Sequence, residues 1–383
     1  DVYKRQDIYG LTGILIAHVF FNMPLATRLM LAALSAIPAE SWKLAGQLSM
    51  GRRATFRLVE WPAIHAALPG ILTLVFMLCV TSFAIVLVLG GGPSATTLEV
   101  AIYQALRYDF DPARVTALSL LQIVVVSLVL AVSSVLGRPD GGITSLGGRA
   151  RRYDKDGPAA RLADTALIVT GLAFILAPFG AILWNGLASD LRGLAMQPAV
   201  QRALLTSLAI AISATAMGLA LSLALALGRQ GRRRGLVDYA GSVVLVVPPI
   251  VVGAGWFLIL REVAAVASLA PVVVVTANAV MAVPFMLRVL TPAMDRAEAQ
   301  RARLAAHLGI RGWAYWRLVL WPALRRPLGL ALAFGLSLSL GDLGVVALFG
   351  SQDLITLPYL LLQRMGSLSL IHISEPTRLR RIS

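Results

Sequence analysis

Apolar positions along the chain gather into about eight runs of roughly twenty residues or more, the length a helix needs to cross bilayer hydrocarbon. They cover roughly residues 8–34, 63–90, 115–137, 163–187, 203–227, 236–260, 270–290 and 327–349, with the polar positions gathered between them. The pattern predicts an all-α, polytopic membrane protein. Pro24 should kink or end the first span, and Pro248 and Pro249 fall inside the sixth. Gly90, Gly91, Gly92 and Pro93 signal a loop after the second span. The stretch that follows, to about Pro112, is weakly amphipathic, holds Arg107 among Glu99, Asp109 and Asp111, and reads as an external connection. A Gly- and charge-rich linker, residues 138–162, divides the chain into a first part, 8–137, and a second, 163–367.

One polar, amphipathic stretch has a twin. Leu304 to Leu324, LAAHLGIRGWAYWRLVLWPAL, matches Leu44 to Ile64, LAGQLSMGRRATFRLVEWPAI, at an offset of 260 positions without a gap. Ala45 falls on Ala305, Leu48 on Leu308, Arg57 on Arg317, and Trp61 and Pro62 on Trp321 and Pro322. The same offset pairs Pro24 with Pro284 and Arg28 with Arg288, so the repeat takes in the preceding span. An even number of spans separates equivalent points. The two copies therefore share one orientation in the membrane, and the repeat is parallel rather than inverted.

Hydrophobic residues make up 58% of the 383 and charged residues 14%, which agrees with a membrane protein. A net charge of +15 would suggest nucleic acid in a soluble chain, but here the basic residues lie between spans and alternate loop by loop. The charge reads as topology, with both twin segments on the cytoplasmic side. Cys79 is the single cysteine, so no disulfide framework or cysteine metal site can form within one chain.

Both ends depart from the pattern of their neighbours. The opening, residues 1–7, and the close, 368–383, resemble translated adapter tails, and we expect the authentic sequence to run from about Ile8 to about Ser367. The repeat further leads us to expect about three spans upstream and one downstream, about twelve in all, six in each half.

The twin segment predicts a short helix that ends at Gly309 and turns, with small residues on one surface and Leu304, Leu308, Trp313 and Trp316 on others. A loop packed across the end of its own bundle would account for one such segment. Two gapless copies on the basic side favour a segment that docks into a partner.

The run Leu304, Ala305, Ala306, then Gly309, then Pro322, resembles the EAA loop of importer-type ABC transporter permeases. Two such loops in one chain look like the fused permeases of ferric-ion and thiamine importers. The segments YGLTGILIAHVFFNMPLATRL, Tyr9 to Leu29, and SLGDLGVVALFGSQDLITLPYLL, Ser339 to Leu361, look most like thiamine or thiamine pyrophosphate permeases. The resemblance implies a bacterial inner-membrane subunit with a coupling helix in each half, at Ala45, Gly46 and Ser49 and at Ala305, Ala306 and Gly309. It implies two copies of a cytoplasmic ATPase that bind ATP and Mg, a periplasmic substrate-binding protein, and alternating access of the two halves. This sequence departs from the family at Leu304, which stands in the glutamate's place, and at Leu44, Gly46 and Ser49 in the first copy. Serine does not favour the left-handed turn that glycine adopts readily.

No phosphate-cradling GxxxxGK[ST] loop occurs, and His18, His65, His307 and His372 are scattered, so no ATPase, cofactor, catalytic or metal cluster is legible in this chain. Nothing in the pattern asks for nucleic acid. A secondary transporter with parallel repeats shares the architecture but does not require the paired amphipathic segments. Asp342, inside the eighth span, is the outstanding polar residue; an ionisable group there costs roughly 2.5–3.5 kcal/mol on insertion scales. It either accepts local hydrogen bonds at a broken helix end, or lines a path and faces the cationic ring of thiamine. Asn22, Asn278 and Ser82, the repeat equivalent of Asp342, are weaker polar candidates for that path.

Overall fold

The computed structural model describes residues 9–90, 95–136, 157–229, 235, 244, 247–263, 266–351 and 354–374. The Gly91–Pro93 loop, most of the linker, the Arg232–Arg234 run, much of the first half of the sixth expected span, residues 1–7 and the end of the 368–383 tail lie outside them. Among the described residues the chain is helical, with no strand. Seven helices are long and apolar enough to cross a membrane. The sixth expected span is described only as Pro249–Val263, which begins at the proline pair and is too short to be counted. A proline at the first helical position loses nothing, because its missing N–H would be unpaired there anyway.

The helices in chain order are α1 (Leu11–Ser35), α2 (Ala39–Gln47), α3 (Arg52–Thr55), α4 (Trp61–Val80), α5 (Ala84–Leu89), α6 (Leu98–Arg107), α7 (Pro112–Leu136), α8 (Pro158–Leu187), α9 (Leu191–Met196) and α10 (Pro198–Leu227). They continue as α11 (Pro249–Val263), α12 (Val266–His307), α13 (Gly312–Tyr315), α14 (Trp321–Leu340), α15 (Gly344–Phe349) and α16 (Leu357–Ser374). Offsetting by 260 positions superposes the bounds of α3, α4 and α5 on those of α13, α14 and α15.

The Trp-Pro pair of each copy explains a shared irregularity. A wide π-helical turn precedes it in both, Phe56–Glu60 and Trp316–Leu320, and the Trp61 N–H donates to the Phe56 carbonyl. Pro62 and Pro322 have no N–H to offer the carbonyl four residues back, and their rings would press on it. Widening the helix by one residue relieves both problems. Each span then breaks again, at residues 81–83 and 341–343, before the short helices α5 and α15.

The copies differ where the first span ends. The sequence predicts a separate motif helix from about Glu298, but α12 runs unbroken from Val266 through His307. In the first copy the chain does break, between Ser35 and Ala39. Pro38, extended at φ −57° and ψ 141°, starts a new helix there, whereas Glu298 at the equivalent position continues the old one.

Two compact units emerge. One takes in residues 1–97 and 124–192, the other 98–123 and 193–383. In the first, α1 packs on α4 and α5, the Gly10 N–H donates to the Leu89 carbonyl at 2.7 Å, and Phe20 meets Phe174 and Phe179 of α8. None of the residues of α8 is buried, although its mean hydropathy reaches 2.4. Packing inside the protein does not explain that composition, but hydrocarbon around it does.

In the second unit α10, α12 and α14 pack together around Met286, Leu290, Leu324 and Ala331. Small residues let these helices approach closely: a Cβ on Gly218 would lie 2.9 Å from the Ala279 carbonyl oxygen. The segment expected as an external connection forms α6, which packs on α11 and α15 with Glu99, Val100, Ile102, Tyr103, Ala105 and Leu106 all buried.

Candidate functional site

Each twin segment closes its helix with the same hydrogen bonds. In the first copy the Met50 N–H donates to the Ala45 carbonyl at 3.0 Å and the Ser49 N–H to the Gly46 carbonyl at 3.1 Å. In the second, Ile310 donates to Ala305 at 2.9 Å and Gly309 to Ala306 at 3.2 Å. This is the Schellman arrangement, which needs a left-handed residue just past the helix. Gly309 supplies it at φ 66°, and Ser49 supplies it at φ 50°. The turn that serine put in doubt therefore forms, at a conformational cost that glycine avoids.

The small residues and the leucines divide differently from what a docking helix with an exposed alanine face would show. Ala45 and Ala305 are buried against their own unit, while Ala306, Ser49 and Gly309 are exposed. Leu44, Leu48, Leu304 and Leu308 are 56%, 65%, 62% and 65% exposed. Both copies thus hold out a leucine pair at i and i+4, one above the other on a helix face. Beside the second copy opens a cavity of about 400 Å³ lined by Leu227, Glu298, Arg311, Tyr315, Trp316 and Leu320, among others.

The polar candidates fall into two sets, one in each unit. Asn278, 6% exposed, donates to Ser339 Oγ at 3.0 Å, tying α12 to α14, and its amide lies beside the Asp342 carboxyl. Asp342 occupies the break before α15, where its Oδ1 accepts the N–H groups of Gly344 at 3.1 Å and Val345 at 3.4 Å. Its Oδ2 is inaccessible and makes no hydrogen bond of ordinary length, with the Asn278 amide as its polar neighbour. In the other unit Asn22 donates to the His18 carbonyl at 2.9 Å and to Cys79 Sγ at 3.6 Å, tying α1 to α4. Cys79 is the repeat equivalent of Ser339, but the donors Asn22 and Asn278 lie one helical turn apart in the repeat, since Asn22 corresponds to Ala282 and Asn278 to His18. Ser82 sits at the first break without an equivalent carboxylate.

Glu99 is a residue to which sequence reasoning gave no role. It is 1% exposed on α6, its Oε1 has no partner, and burial, with the Asp342 charge added, pushes its carboxyl up to about 8. Its segment reads as weakly amphipathic, and nothing local says which helices cover the face that holds Glu99. No group of three or more His, Cys, Asp or Glu residues that could hold a metal ion occurs among the described residues.

No family model matches the chain. Curated relatives do. It is 51% identical to the thiamine transport system permease protein ThiP of Brucella abortus (strain 2308) over 368 residues, 95% of this chain and 68% of the relative. Its identity is 44% to ThiP of Escherichia coli K12, over 94% of this chain and 68% of that protein, and 38% to ThiP of Haemophilus influenzae, over 95% and 69%. The chain belongs to the thiamine transport permease family. Its described helices and that membership make it a multi-pass membrane protein of the permease type.

Proposed function

We propose that the chain is the transmembrane permease subunit of an ATP-driven thiamine importer of the bacterial inner membrane. ATP and Mg bind a separate cytoplasmic ATPase present in two copies, and a periplasmic binding protein delivers the cargo. The observation that carries this reading is the pair of equivalent Schellman turns, each holding out an i, i+4 leucine pair. Apolar side chains displayed twice on one pattern suit two copies of one partner. Nucleotide-driven closure of those partners would move the two helices and, through them, the two halves in alternating access. Ala45, Gly46, Ser49, Ala305, Ala306 and Gly309 shape the coupling segments.

The test is uptake of labelled thiamine into proteoliposomes holding the full chain with its ATPase and binding protein. Uptake should require ATP, and Gly309→Arg should abolish it while the spans stay folded. The variant's left-handed conformation costs roughly 1–2 kcal/mol, and a Cβ at Gly309 would meet nothing within 4 Å. Thiamine uptake that persists without ATP, or unchanged uptake and ATPase association in Gly309→Arg, refutes the assignment.

The cargo carries a permanent positive charge on its thiazolium ring, and the path needs only transient compensation for it. Asp342, with Asn278 beside it, offers that compensation; Asn22 and Ser82 are neutral candidates in the first half. The capping role of Asp342 Oδ1 is separable from its charge, because asparagine keeps a carbonyl oxygen for the two N–H groups. Asp342→Asn should leave the complex assembled and its ATPase active while slowing thiamine uptake. Uptake at the parent rate would leave Asp342 as a helix cap alone.

A further inference from the structure

Two carboxylates in the second unit lie close enough for one charge to act on the other. Glu99 is nearly inaccessible on α6, and Asp342 stands at the break that begins α15, the helix against which α6 packs. Oε1 of Glu99 is inaccessible and has no hydrogen-bond partner, and the inaccessible Oδ2 of Asp342 has no bond of ordinary length, with the Asn278 amide beside that carboxyl. The second oxygen of Asp342 is already committed to the backbone of Gly344 and Val345. Unpartnered buried carboxylate oxygens are costly unless a cation or a proton satisfies them.

Among the described residues no cation acts on Glu99. α11 and α15 pack on α6; α11 carries Arg261 and Glu262 in its last turn, and α15 carries no titratable residue. On α6 itself Arg107 turns its Nη2 to the Gly350 carbonyl at 3.4 Å, and Tyr103 interacts with Tyr108, Tyr359 and Arg107. The charge that acts on Glu99 is that of Asp342. Burial and the Asp342 charge push the Glu99 carboxyl up to about 8, so the pair retains a proton at neutral pH.

We propose that Glu99 and Asp342 form one cation station that holds a single proton between them when empty and releases it when the cargo's positive charge arrives. The proton leaves to water and the cargo leaves onward, so the station returns to its starting charge by taking a proton back. No bond other than O–H is made or broken. The site therefore takes one positive charge at a time, either a proton or an organic monocation. This rests on the transport reading above, which left Glu99 without a role.

The test uses the full importer in proteoliposomes, with thiamine uptake followed between about pH 6 and about pH 10, a range that brackets a raised carboxyl. In the parent, uptake at limiting thiamine should rise with pH until Glu99 has lost its proton, by up to tenfold per pH unit where proton and cargo compete. Glu99→Gln, which cannot release a proton, should be flat over the same range and slower at its upper end, while Glu99→Asp should keep a titration with a displaced midpoint. The same pH profile in Glu99→Gln as in the parent would overturn the proposal. Infrared spectroscopy supplies a readout independent of transport: the parent should show a protonated-carboxyl band that titrates well above the ordinary carboxylate range, disappears in Glu99→Gln and moves to lower pH in Asp342→Asn. If the parent complex takes up no thiamine at any pH, the transport reading fails, and the infrared titration still decides whether the shared proton exists. A band unaltered by both substitutions sinks the pair.

Discussion

Substituting the left-handed residues of the two coupling turns should move stability in opposite directions. Ser49 and Gly309 occupy the same backbone position at φ 50° and φ 66° and close the same hydrogen-bonded ring. An L-residue in that conformation costs roughly 1–2 kcal/mol in the folded chain. Glycine avoids the cost but loses more backbone freedom on folding, roughly 0.5–1 kcal/mol. The difference leaves Ser49→Gly more stable by up to about 1.5 kcal/mol and Gly309→Ala less stable by about the same amount. Contacts do not blur the comparison, since both positions are exposed and a Cβ at Gly309 would touch nothing within 4 Å. The assay is unfolding of the full purified chain in lipid nanodiscs, with thermal and denaturant midpoints compared among the parent, each single variant and the double variant. The double variant should fall near the parent. Shifts of the same sign, or a Ser49→Gly chain that is less stable than the parent, would refute the reading that both turns share one left-handed geometry.

Two further outcomes test packing and charge. A Cβ on Gly335 would run into the Met286 methyl and lie 2.8 Å from Thr215 Cγ2, so Gly335→Val should cost about 1–3 kcal/mol by prising α14 from α10 and α12. Gly329→Ala, on the same helix but with open space at its Cβ, should leave the unfolding midpoint near the parent's. The Glu99 carboxyl, raised from an ordinary 4.5 to about 8, holds its proton more tightly in the folded chain than in the unfolded one. Its contribution is therefore fully present below about pH 4.5 and lost as pH rises through about 8, at a limiting slope of about 1.4 kcal/mol per pH unit. Unfolding midpoints of the parent should fall across that window, and those of Glu99→Gln should fall less; parallel curves would remove Glu99 as the cause.

Much of the architecture was legible because it rests on local physics. The apolar runs predict α1, α7, α8 and α10 closely, since a spanning helix must satisfy its own backbone and be apolar along its length. The gapless repeat announces that α13 to α15 copy α3 to α5, and the Trp-Pro pair marks where both helices widen. What stayed hidden depends on partners far away in sequence. Ser49 in a left-handed turn contradicts its own preference and is held there by the Met50 and Ala45 bond. Pro38 divides the first motif from its span, and reading the motif by its better-conforming copy suggested the same division where α12 runs straight through. The burial of α6 is set by α11 and α15, which lie well over a hundred residues downstream, so the sequence alone does not show that Glu99 is buried.

The asymmetry between the halves bears on the cargo. Position for position, Asp342 faces Ser82, Asn278 faces His18, and Glu99 corresponds to Tyr359, so the repeat that duplicates the backbone does not duplicate the carboxylates. Both acids belong to the second unit, one of them delivered there by a helix from the earlier part of the sequence. A path for a monocation must bind the charge well enough to admit it and weakly enough to let it go. One carboxyl pair that trades a proton for the cargo meets both demands, because the net charge of the site changes little through the cycle. Ser82, the repeat equivalent of Asp342, is neutral, so the cargo's charge is met by a carboxylate at one of the two equivalent positions and not at both.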